Sequence, residues 1–315
     1  MDTYSNDHDV SQQVKTTDPV DVQLEIDRIF SDLYPSASTD PLDRAFYDIG
    51  RLYRGEFPGY LACDTAYHDI QHVLDVTLAM ARLLDGYERS RVSTDSIGAQ
   101  LFQLGVVTAL FHDCGYLRHN SESGRNGAEF TTTHVTRGAE FLREYLATLG
   151  MTEFGHAAAD LVHFTGYERP VASITMPNLS MRLIGYMLGS ADIIAQMADR
   201  CYLEKCRDRL YPEFVAGGIA SKQLPNGDKQ VIFASGDDLV MKTPGFYAGA
   251  SRRLNSDLQG FHNYAGKHFG GQQLYLEEID KNIKFVETVV KAQDPSILRR
   301  MPPDTIAAET ETARV

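Results

Sequence analysis

The chain has 315 residues, 43% of them apolar and 23% charged, with a formal charge of −13. This composition excludes a wholly disordered, fibrous or low-complexity protein, and the acidic balance argues against general binding to nucleic acid or an anionic membrane. No apolar run approaches the roughly 18 to 20 residues needed to cross a bilayer, so a soluble, cytoplasmic protein is expected.

Residues 1–20 open as MDTYSNDHDVSQQVK, polar and aperiodic where a leader would be apolar, and are expected to be a disordered, mobile arm. Residues 21–295 read as one all-α bundle. Val22, Ile26, Ile29, Phe30 and Leu33 recur at helical spacing until Tyr34-Pro35-Ser36 breaks the pattern, and residues 42–53 repeat it. A broader stripe over 68–84 holds Ile70, Val73, Leu74, Val76, Met80, Leu83 and Leu84. Further helices are expected over 97–114, 128–149, 154–164, 179–196, 198–215 and 272–292, with Gln230 to Ala234 as a lone strand candidate. Residues 217–271 carry more Gly, Ser, Asn and Asp, and read as a long loop-rich excursion beside the bundle. Residues 296–315 are expected to be a loose tail. The four cysteines, Cys63, Cys114, Cys201 and Cys206, lack CxxC spacing and are expected to be reduced thiols.

The chemistry-bearing residues sit inside these apolar patterns. His68 and His72 are four apart, which on a helix sends both imidazoles out of one face. The run Gly105 to Phe111 is apolar on all sides and should be buried, yet it ends in His112-Asp113. A carboxylate there needs a partner, because an unpaired buried charge costs several kcal/mol, roughly. The partner is a bound cation, backbone donors, or an arginine such as Arg118 or Arg137. His134 opens one amphipathic stretch, His163 follows Leu161 and Val162, and Asp192 lies among small and apolar residues. Taken singly, each is ordinarily a satisfied core polar group. As a series from separate helices, they match the way bundle metal sites are built, with ligands projecting inward from facing helices.

The order His72, His112-Asp113, His134, His163, Asp192 resembles the HD-domain superfamily of metal-dependent phosphohydrolases, an all-α helical bundle with its metal site in the core. Within it, Tyr67-His68-Asp69-Ile70-Gln71-His72-Val73-Leu74-Asp75-Val76 is similar to the Y-H-N-x-x-H-x-x-D-V signature of class I 3′,5′-cyclic-nucleotide phosphodiesterases, while Ala191-Asp192-Ile193 and Glu213-Phe214 resemble that family's A-D-L and E-F-F elements. The resemblance implies that His72, His112, Asp113 and Asp192 hold one metal, that Asp113 bridges to a second completed by His134 and His163, and that His68 is the general acid. It also implies two divalent ions, which imidazole-rich ligation suits to Mn, Fe, Zn, Ni or Co better than to Mg. Bridged by Asp113 and a water, two such ions would acidify the water for in-line attack on a phosphoester or nucleotide. Asp69 and Tyr116 depart from the family's Asn and second His. Gln272 and Tyr275 weakly resemble its purine-reading pair. Alternatives are an HD-type mixed-valent di-iron oxygenase, which shares the ligand set, and a non-catalytic nucleotide-binding protein. No nucleic-acid or membrane partner is expected, and a homodimer stays open.

Overall fold

A computed structural model describes residues 5–91 and 96–305 and is mostly helical. Helix α1, Pro19–Leu33, begins where Asp18 accepts the Val20 N–H and Pro19 presets the first turn. It buries Val22, Ile26, Ile29 and Phe30 along one stripe, and α2, Asp40–Tyr53, answers with Leu42, Phe46, Ile49 and Leu52. Helix α3, Ile70–Ser90, packs against α1, against α4 (Ala99–Phe111), against α7 (Leu179–Ala198) and against α11 (Tyr264–His268), which makes it the axis of the bundle. Each fully buried Leu or Ile on these faces contributes about 1.5 to 3 kcal/mol. The α3–α11 contact is close enough that a Cβ on Gly86 would run into the Tyr264 carbonyl.

Helix α4 is buried from Phe102 to Phe111, as its all-round apolar sequence requires. Helices α5 (His134–Thr148) and α6 (Gly155–Val162) pack on each other and on α4. A helical stretch runs from α8 (Tyr202–Lys205) through a π-turn at Cys206–Leu210 into α9 (Tyr211–Ala216). Then come a short antiparallel hairpin of β1 (Ser221–Gln223) and β2 (Lys229–Val231), with Ser221 opposite Val231, and helices α10 (Gly236–Arg252) and α12 (Leu274–Ala292). The hairpin turn places Gly227 at φ +90°, a conformation glycine adopts without strain. None of the four cysteines is paired. No helix among the described residues is long and apolar enough to cross a membrane.

Four sequence expectations change. His68 is not helical: Asp69 is the N-cap of α3 and accepts the His72 N–H at 2.9 Å, so the helix starts one residue after it. The expected mobile arm lies against the bundle from Ser5 onward, because Asp9 is buried in an ion pair with Arg82 (2.7 Å) and Val14 joins the core. The expected excursion is largely helical: α10 buries Leu239, Val240 and Thr243 despite an internal Pro244. The tail is held as far as residue 305 by the Arg300 N–H donating to Glu204 at 3.1 Å and by Thr305 bonding to Asp69. Residues 1–4 and 306–315 of these two segments lie outside the described residues.

Candidate functional site

Three backbone features bring the predicted ligands together. The Asp69 cap starts α3 so that His72 sits in its first turn; α4 ends at Phe111, so His112 and Asp113 emerge at its C-terminal end; α5 begins at His134. A close approach couples the last two, since a Cβ on Gly115 would strike the His134 carbonyl. His72 Nε2 lies 3.1 Å from Asp113 Oδ2 and 3.6 Å from Asp192 Oδ1. His112 Nε2 lies 3.3 Å and 3.9 Å from the same two oxygens, and His134 Nε2 faces Asp113 Oδ1 at 3.7 Å. His72, His112 and Asp113 are buried and offer ligand atoms within 4.8 Å of one another, a group that could hold a metal ion.

The hydrogen bonds on the far side of each ring test that fit. His112 Nδ1 meets the Ala109 carbonyl at 2.7 Å, and His134 Nδ1 meets the Thr131 carbonyl at 2.7 Å. A carbonyl only accepts, so both Nδ1 atoms carry the proton, and in a neutral ring Nε2 then presents a lone pair. Lone pairs aimed at carboxylates are stable only with positive charge between them. His112 Nε2 is in fact buried with no hydrogen-bond partner. Burial disfavours a charged His112, yet Asp113 and then Asp192 override it and push the imidazole up to about 9. Burial likewise opposes charge on Asp113, but His112, His72 and His68 hold its carboxyl well below the usual range. The pocket therefore favours positive charge, carried by a proton on His112 or by a bound cation in its place, and imidazoles fixed through Nδ1 by backbone carbonyls are the ordinary support of metal-binding histidines. Neither arginine considered as Asp113's partner reaches it. Arg118 pairs with Asp64, while Arg137 donates to the Gly115 and Leu117 carbonyls and pairs with Glu122.

His68 has a different neighbour. Its Nδ1 lies 2.5 Å from Glu213 Oε2, while the Tyr67 N–H donates to Glu213 Oε1 at 2.6 Å, so one carboxylate fixes both residues. Burial lowers the imidazole's affinity for a proton; Glu213, with Asp113 and Asp192 behind it, more than reverses this and holds His68 above its ordinary 6.5. Its ring stacks on Tyr116 at 4.2 Å and 15°, and the other Tyr116 neighbour, His134, stacks at 4.3 Å and 19°. Tyr67 Oη donates to Gln196 Oε1 at 3.2 Å, and Gln196 Nε2 reaches Asp192 at 3.2 to 3.3 Å, which fixes the acid's orientation.

His68, His72, Asp113, Tyr116, His134, Asp192 and Gln196 line one cavity of 810 Å³, together with apolar side chains that include Phe214, Phe233 and Phe246. A volume of a few hundred cubic ångströms, mostly apolar with a few convergent polar groups, is typical of small-molecule sites. Three other predicted positions, His163, Gln272 and Tyr275, do not line this cavity. His163 Nδ1 lies 2.5 Å from Glu168 Oε1, a bond that leaves Nε2 to another partner. Glu168 itself faces the cavity, on a loop that buried Arg253 grips through the Phe164 and Gly166 carbonyls. Gln272 and Tyr275 lie away from the cavity: Tyr275 accepts from Arg82 at 3.1 Å and Gln272 lines a separate cleft. Sequence reasoning did not identify Gln196, Glu168 or the α10 side chains Leu239, Lys242, Thr243 and Phe246 as cavity residues.

The phosphodiesterase domain of the RhoPDE fusion protein from the choanoflagellate Salpingoeca rosetta covers 93% of this chain and 97% of its own, with a TM-score of 0.50 at 14% identity. This chain has a phosphodiesterase-domain fold. No protein-family model and no curated protein matches the sequence. At 14% identity the likeness is one of fold, and the buried His72, His112 and Asp113 group lies in the core of that fold.

Proposed function

We propose that the chain is a metal-dependent phosphohydrolase, acting as a phosphodiesterase on a cyclic nucleotide or a related phosphoester. The observation that carries this reading is the placement of His68, paired with Glu213, in the same cavity wall as His72, Asp113, His134 and Asp192. His72, His112, Asp113 and Asp192 would hold one divalent ion, and Asp113 with His134 would face a second. Ions bound there would supply Lewis acidity toward the phosphoryl group and lower the pKa of water.

The remaining work falls to the chain's own groups. Glu213 accepts the Nδ1 proton of His68, which leaves Nε2–H free to face a departing ester oxygen. The raised pKa favours the protonated imidazole, the state a general acid requires. Tyr116 keeps the ring plane by stacking, and the Gln196 amide keeps Asp192 turned inward. The apolar wall excludes water and offers flat surfaces to a base or another ring. This pair favours hydrolysis over oxygenation, since dioxygen chemistry has no ester oxygen for a protonated His68 to serve.

The test is hydrolysis of a panel of cyclic and linear phosphodiesters by protein loaded in turn with Mn, Fe, Zn and Mg. Metal-dependent turnover lost by about 10² or more in His68→Ala and abolished in Asp113→Ala supports the reading. Equal turnover by Asp113→Ala, or dioxygen consumption without ester cleavage, refutes it.

A further inference from the structure

A second cleft opens on another side of α3 and shares no lining residue with the metal-group cavity. Its volume is 670 Å³, and its walls come from residues 10–13, α1, α3 and the junction between α11 and α12. Arg82 lines it and is only 1% exposed. Nη2 of that guanidinium meets Asp9 at 2.7 Å and Nη1 donates to Tyr275 at 3.1 Å, but Nε has no acceptor. A buried arginine with an incomplete set of acceptors is an unusual thing to leave beside a cavity, because each unsatisfied charged donor is costly.

The other linings point the same way. His268 uses Nδ1 on Asp85 at 2.7 Å, so Nε2 remains for a further partner. Arg28 holds Glu25, the one carboxylate lining the cleft, through two bonds of 2.7 and 2.8 Å, and it also pairs with Asp32 at 3.2 Å. That arginine is exposed, and surface pairs of this kind exchange readily for a stronger bidentate acceptor. Phe269 presents a half-buried ring with the Arg82 guanidinium 4.9 Å from its centroid, a combination that receives a third flat group. Gln272 stands exposed at the edge with an amide that can read a ring's polar atoms. The cleft is far larger than an inorganic anion needs.

We propose that this cleft binds a phosphomonoester carrying a flat ring, the chemistry of a nucleoside monophosphate. The phosphate sits between Arg28 and His268, the ring lies on Phe269, and Gln272 meets its edge. Arg82 and His72 share α3, ten positions and so about 15 Å apart along its axis, which places the cleft outside the metal-binding group.

The probe is AMP, titrated calorimetrically into the full chain, with ribose 5-phosphate and adenosine as its two halves. Wild type, Arg28→Ala, Gln272→Ala and His72→Ala are compared; Arg28 and Gln272 are exposed, so their removal leaves the fold intact. The expected result is saturable AMP binding that persists in His72→Ala, weakens about tenfold or more in Arg28→Ala and weakens several-fold in Gln272→Ala, with each half-ligand at least about tenfold weaker than AMP. No saturable binding in His72→Ala protein overturns the proposal, as does binding indifferent to Arg28→Ala. Ribose 5-phosphate binding as tightly as AMP overturns the assignment of a ring.

Discussion

A neutral imidazole has one proton for two nitrogens, and in this chain the partner of Nδ1 decides what Nε2 can do. Backbone carbonyls hold the Nδ1 protons of His112 and His134 and turn Nε2 toward Asp113, whereas a carboxylate, Glu213, holds Nδ1 of His68. The same logic applies to His163: Glu168, only five residues on, takes its Nδ1 and leaves Nε2 to another partner. Glu213 was legible only as a family element, because nothing in a linear sequence marks a contact across 145 positions. A test at this scale is Glu213→Gln. Burial lowers the pKa of His68, and removing the carboxylate takes away the largest influence that opposes it. The basic limb of the kcat/KM profile against pH should therefore move to lower pH, with kcat reduced by about 10². An unmoved limb would separate Glu213 from the acid.

Helices of the bundle were legible wherever periodicity was strong. The α4 run and the α1 stripe needed no tertiary information, since an all-apolar helix has to be buried and an amphipathic one has to bury its stripe. α10 was not legible: Gly236, Pro244, Gly245 and Gly249 dilute its apolar face, and the sequence reads as loop although packing makes it a helix. The start of α3 was also missed by two residues, because Asp69 looks like a departure from a signature before it is seen as a cap. At this scale the contact of Gly115 with α5 is the sensitive joint. Gly115→Ala must push the His134 carbonyl away. A loss of about 1 to 3 kcal/mol is expected in denaturant melts, together with weakened metal uptake. A variant that keeps wild-type stability would show that the two segments can separate without cost.

The whole molecule is closed by its terminal segments, both expected from composition to be loose. Short polar segments do not advertise a long-range ion pair, and the Asp9–Arg82 contact lies 73 positions apart in a sequence otherwise poor in apolar residues there. Asp9→Asn leaves Arg82 buried without its counter-charge, and a loss of about 3 kcal/mol is expected. Burial opposes the charge on Asp9, but Arg82, Ser11 and the Val14 N–H hold its carboxyl below the ordinary 3.8. A depressed pKa contributes stability above the unfolded value and loses it as pH falls through the folded one. The difference between wild type and Asp9→Asn in urea melts should thus be full at neutral pH and shrink below about pH 4. A difference that grows on acidification would contradict the ion pair.

The acidic chain, with its charge of −13, can attract an anionic phosphoester only if cations gather at the cavity. All of the proposed chemistry depends on that gathering at His72, His112 and Asp113. Anomalous X-ray diffraction from crystals of the zinc- or manganese-loaded chain tests it most directly. The account predicts a strong peak within coordinating distance of His72 Nε2, His112 Nε2 and an Asp113 oxygen. Loaded crystals with no peak there, or with peaks only at surface carboxylates, would contradict it.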